Sequence, residues 1–139
     1  MLAIAEGSAP GMPRLNTVDV ELKTVCESAE KASLRVLSTR TTGTSTIQHA
    51  VSNFTGADIV HLACHGVQDA KDALQSGFCL GDGRLTIAEL MKLKLPNPFL
   101  AFLSACETAK GDESLPDQTV HLAAAMLFCG FQNVIGTMW

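Results

Sequence analysis

Asp58-Ile59-Val60-His61-Leu62-Ala63-Cys64-His65-Gly66 is the stretch that decides the fold. Residues 58–64 carry almost no polar face, the pattern of a central strand covered on both sides rather than one with a solvated face. The run closes on His65-Gly66. A second run of the same kind, residues 99–104, delivers Ala105-Cys106 and continues into Glu107-Thr108. Groups at the carboxyl ends of parallel strands gather in one crevice, so these two runs are expected to bring an imidazole and a thiol together.

Working outward, strand and helix patterns alternate almost from end to end. Residues 2–5 are a short apolar run closed by Gly7, Pro10, Gly11 and Pro13, a buried strand leading into a long loop. Val18, Leu22, Val25 and Ala29 then recur at helical spacing, with Asn16 or Thr17 as cap. Residues 33–38 read as the next strand. Ser45 with Gln48 forms a capping box ahead of a helix through Ile47, Ala50, Val51 and Phe54. After the run at 58–64, a polar link leads to Phe78, Cys79 and Leu80, and an Asp82-Gly83 turn sends the chain back to Arg84 and Leu85. Thr86 and Glu89 make a second capping box, opening a helix through Ile87, Leu90, Met91 and Leu93 that Pro96 and Pro98 end. Asp117 caps a last helix built on Val120, Ala123, Ala124 and Leu127, and residues 134–138 read as one more buried strand. This order is that of an α/β fold with a mainly parallel sheet and right-handed crossovers. A strand feeding nothing beyond Trp139 suggests a domain incomplete at its C-terminal end.

Composition limits the function classes. A chain of 139 residues, 47% hydrophobic and 17% charged, buries one compact core, so residues 1–139 are expected to form a single domain. The net charge of −4 and the scattering of ten Lys and Arg leave no basic stripe, which argues against nucleic acid as a partner. The run 122–131 is about half a membrane span, and the apolar start lacks a basic flank, so no membrane partner and no export are expected. The five cysteines are odd in number and lie mostly in apolar runs. That fits free thiols in a reducing, cytoplasmic setting, with Cys26, Cys64, Cys79 and Cys129 as small core residues.

His65 and Cys106 are the candidate base and nucleophile. A thiol near its ordinary pKa is a few per cent thiolate at neutral pH and needs a base or a positive neighbour. Gly66, having no side chain, allows its amide close to a substrate carbonyl, and with the Cys106 amide it forms a candidate oxyanion site. The residues alone leave this open, because a lone His and a lone Cys at strand ends are more often structural than catalytic. Glu107 raises rather than lowers a neighbouring thiol pKa unless it points away.

Three rival readings stand beside it. His61 and His65 have the spacing of a zinc helix, but along a strand at about 3.3 Å per residue they lie roughly 13 Å apart and cannot share an ion. His61 is therefore read as a core or sheet-face residue, His49 and His121 as surface residues, and no metal is assigned. A non-enzymatic interaction domain is the second reading. A redox sensor is the third, for which Cys64 is the one candidate resolving thiol. Glu107, Asp112, Glu113 and Asp117 form an acidic loop, read as a solvated one.

The strings at 58–66 and 103–108 resemble the CHAT family, the caspase-like cysteine peptidase fold associated with tetratricopeptide arrays. The similarity extends through Ser76-Gly77, Asp82-Gly83-Arg84-Leu85-Thr86 and the closing Val134-Ile135-Gly136-Thr137-Met138-Trp139. It implies a three-layer caspase-like sandwich with strands ordered 2-1-3-4 and then the Trp139 strand. It implies a histidine base at His65, a nucleophile at Cys106, an oxyanion site involving Gly66 and hydrolysis of peptide bonds. No metal or organic cofactor is implied. The partners it implies are a protein or peptide substrate and helical-repeat or nucleotide-switch sensor modules. Complete relatives continue past the Trp-ending strand with a segment that helps build the substrate pocket.

Overall fold

The computed structural model describes residues 1–38, 45–69, 71–105 and 118–136, with backbone alone for 118–121. In chain order the elements are β1 (Leu2–Ala5), α1 (Val18–Lys31), β2 (Leu37–Ser38), α2 (Ile47–Phe54), β3 (Ile59–Ala63), β4 (His65–Val67), β5 (Gly77–Leu80), β6 (Gly83–Thr86), α3 (Ile87–Leu90), β7 (Leu100–Leu103), α4 (Gln118–Phe128) and β8 (Asn133–Gly136). The central sheet runs β2-β1-β3-β7-β8, the order expected from sequence, and every pairing in it is parallel. Val60 lies between Leu2 and Ala101, so the run at 58–64 occupies the middle of the sheet.

Alternation along β1 and β3 divides the core in two. Leu2, Ile4, Val60 and Leu62 point to the face covered by Ala50 and Phe54 of α2 and by Leu122, Ala125 and Met126 of α4. Ala3, Ala5 and Ala63 point the other way, and their small side chains let Val18 and Leu22 of α1 settle onto the sheet. The result is an α/β three-layer sandwich with helices on both faces, and a fully buried side chain such as Leu62 contributes about 1.5–3 kcal/mol.

Several boundaries move for identifiable reasons. Ser45 does not cap α2: its hydroxyl is buried and donates to the Ala5 carbonyl at 3.0 Å. Thr46 takes the cap one residue later, accepting from the His49 amide at 3.2 Å, while Asp82 Oδ1 accepts from the Ile47 amide at 2.8 Å. The Thr86–Glu89 capping box forms as expected. α3 is a single turn, shorter than its apolar spacing suggested. Among the described residues β2 pairs at Leu37 and Ser38, later than the expected start at residue 33, because Ser33 first reverses the chain after α1. Ser33 has φ 60°, and the Leu34 amide returns to the Ala29 carbonyl at 2.9 Å, closing a left-handed helix end. Ser33→Gly relieves that backbone and is expected to raise the unfolding free energy by about 1 kcal/mol, read by chemical denaturation.

The greater departure is at His65. The run was expected to end there in a loop; instead His65 opens β4, the first strand of an antiparallel sheet ordered β4-β5-β6. The hairpin between β5 and β6 turns on Gly81-Asp82, one residue earlier than the Asp82-Gly83 reading.

Candidate active site

The crevice lies beyond the carboxyl ends of β1, β3 and β7. The ladders extend past the strands: the Glu6 amide donates to the Ala63 carbonyl and the Ser104 amide to the Leu62 carbonyl, both at 2.9 Å. The chain then bends at Cys64, whose side chain joins the apolar core, and His65 leaves the central sheet. The His65 ring is buried, at 2% exposure, and its Nε2 lies 2.7 Å from the Pro13 carbonyl oxygen. A carbonyl only accepts, so in the neutral ring Nε2 carries the proton and Nδ1 is the basic nitrogen. The contact selects that tautomer and anchors one corner of the imidazole.

Gly66 follows at the point where β4 meets β7. A Cβ built there would sit 2.8 Å from the Ala105 carbonyl oxygen and 2.8 Å from Leu122 Cδ1. Only glycine lets the backbone of β4 rest against the end of β7. This contact brings the His65-Gly66 segment to Ala105, the residue that precedes Cys106 in sequence. Cys106 itself, the second oxyanion amide and the acidic residues Glu107, Asp112, Glu113 and Asp117 lie outside the described residues.

Three neighbours of the site were not read from sequence. Glu6 is completely buried at the end of β1, where a charged residue closing an apolar run was the available signal. The Pro13 carbonyl left none, being main chain. Cys79 stands directly across from His65 in the β4–β5 ladder, with Arg84 across from Cys79. Cross-strand partners share a face at about 5 Å, so the Cys79 thiol stands beside His65. Burial pushes the Cys79 thiol up, and Arg84 only partly offsets this. Cys129 is likewise pushed up by burial. All four described cysteines, Cys26, Cys64, Cys79 and Cys129, are free thiols.

His61 faces α1, away from the apolar core on the other side of the sheet. Its buried ring stacks on Phe102 at 5.1 Å, and Nε2 lies 3.0 Å from Glu21 Oε1. The approach is short but lacks the geometry of a directed hydrogen bond. Burial raises the Glu21 pKa, but the contacts with His61 and the Ser104 hydroxyl outweigh it, and the carboxyl is held below its usual 4.5. A carboxyl lowered on folding contributes stability above its ordinary pKa and loses it as the pH falls through the lowered value. Glu21→Gln is therefore expected to cost about 1 kcal/mol at neutral pH. The difference from wild type should close as denaturation curves are taken to acid.

His49 is exposed on α2, as expected, and the His121 side chain lies outside the described residues. Among the described residues no group of three or more His, Cys, Asp or Glu is placed to hold a metal ion. No helix among them is long and apolar enough to cross a membrane.

No curated protein matches the chain. The family model described as CHAT domain matches residues 2–139, and with the parallel sheet, the strand-end histidine and the glycine contact in place, the chain belongs to the CHAT domain family.

Proposed function

We propose that this domain is a caspase-like cysteine endopeptidase, an effector module controlled by a partner or sensor. The CHAT domain has a caspase-like, peptidase-related fold. The observation that carries the finer reading is the pair of contacts at one strand end: His65 Nε2 on the Pro13 carbonyl, and Gly66 on the Ala105 carbonyl next to Cys106 in sequence. In this reading Nδ1 of His65 takes the thiol proton and Cys106 Sγ attacks the scissile carbonyl. The amides of Gly66 and Cys106 hold the oxyanion, and the protonated imidazole returns its proton to the leaving amine. Water then attacks the thioester carbon, giving its proton to His65, and the thiol is regenerated. No cofactor enters this scheme. The substrate is a protein or peptide.

A second reading, a non-catalytic interaction domain, has its own support. Leu74, Met91 and Phe128 border an apolar groove of about 260 Å³ between residues 73–74, α3 and α4, and Phe128 is 81% exposed. Residues 118–139 contain no Asp, Glu, Lys or Arg. A surface of that kind suits the apolar face of a partner helix, as a helical-repeat or nucleotide-switch sensor module would present.

Alkylation separates the two. With a small thiol reagent at neutral pH, an enzyme modifies Cys106 about tenfold or more faster than Cys79 and Cys129, whose thiols burial pushes up, and the advantage disappears in His65→Gln. Equal modification of Cys106 in both proteins supports the scaffold.

A further inference from the structure

We infer that Glu6 is a positioning residue for His65, acting through the loop that carries Pro13; the inference rests on the reading of His65 as the catalytic base. Glu6 is 0% exposed, and a carboxylate so placed is retained only where hydrogen bonds repay its lost hydration. Its Oε1 accepts from the Ser8 amide at 2.8 Å, and its own amide is tied to the Ala63 carbonyl, two residues before His65.

Glu6 is therefore tied to the end of β3 through its amide and to the start of the 7–17 loop through its carboxyl. That loop contains Gly7, Pro10, Gly11 and Pro13 and has no regular structure to set its path. It is held instead by single bonds: the Met12 amide to the Ala9 carbonyl at 3.1 Å and the Leu15 amide to the Gly7 carbonyl at 2.9 Å. Ala9 is buried beneath it. At its far side the Pro13 carbonyl meets His65 Nε2 at 2.7 Å. Ser8 is thus the first fixed point of a short lariat whose other end selects the imidazole tautomer. Removing the acceptor at position 6 frees the loop, and the Pro13 carbonyl no longer holds Nε2–H.

The test uses the ¹⁵N signals of the His65 ring, assigned with His65→Gln. Glu6→Gln keeps an acceptor oxygen for the Ser8 amide, and Glu6→Leu removes it at similar size. Ser8→Pro removes the donor while leaving Glu6 in place, which covers the case of a Glu6→Leu chain that does not fold. Wild type and Glu6→Gln are expected to show the Nε2–H tautomer alone, and Glu6→Leu and Ser8→Pro a mixture of both. Alkylation of Cys106 should fall about tenfold in the latter two, part of what a positioned base contributes, with Cys26 unaffected. An unchanged Nε2–H tautomer in Glu6→Leu or Ser8→Pro overturns the inference, whatever happens to Cys106. A wild-type Cys106 no more reactive than Cys26 defeats the peptidase reading instead, and the tautomer comparison still decides the role of Glu6.

Discussion

Cys106→Ala is expected to remove all peptide-bond hydrolysis by the domain, and His65→Ala to lower kcat/KM by about 10²–10⁴-fold. The two differ because they remove different things. Without the sulfur no thioester forms. Without the imidazole the thiol remains but ionises only to the extent its own pKa allows, and the leaving amine has no acid to protonate it. The double variant should be no worse than Cys106→Ala, since residues acting as a unit are not additive. The measurement is hydrolysis of a peptide mixture followed by mass spectrometry, with circular dichroism to confirm folding. Undiminished cleavage in either single variant would refute the assignment.

Gly77→Ala is the largest expected effect on stability. A Cβ at Gly77 would stand 2.1 Å from the Leu85 carbonyl oxygen and 2.8 Å from both the Leu85 carbonyl carbon and Thr86 Cα. All three are backbone atoms of β6, so no side-chain rotation relieves the overlap and β5 and β6 must part. The ladder that aligns Cys79 with His65 runs through the same strand. A loss of about 3 kcal/mol is expected, a large share of the 5–15 kcal/mol that keeps a domain of this size folded. At Gly66 half of the overlap is with Leu122 Cδ1, a side-chain tip that can shift, so Gly66→Ala should cost less stability while disturbing the contact with Ala105. Urea denaturation of the three proteins gives the order wild type, Gly66→Ala, Gly77→Ala. A Gly77→Ala midpoint equal to wild type would mean that β5 and β6 do not approach in this way.

The sheet was legible because burial on both faces leaves a plain mark. The run at 58–64 and its counterpart at 99–104 carry the pattern of central strands, and the strand order is the one the family resemblance implied. What escaped the sequence is what patterns of side-chain polarity do not record. The Pro13 carbonyl and the Gly66–Ala105 approach are main-chain contacts. The pairing of Cys79 with Arg84 depends on a register set by a hairpin turn one residue from where the Asp-Gly pair suggested. Ser45 has the chemistry of a helix cap, but a buried carbonyl at the end of β1 claims its hydroxyl, a choice made by tertiary structure. The one signal Glu6 offered, a charge closing an apolar run, reads beside Gly7 equally well as the ordinary end of a strand.

The most direct measurement is the separation between the His65 ring and Cys106 Sγ in a crystal structure of the protein. The two groups are expected in one crevice at the carboxyl ends of β3 and β7, with Nδ1 within about 3–4 Å of the sulfur or one small movement away. Finding the sulfur on the α1 face of the sheet, or buried away from the imidazole, would contradict it.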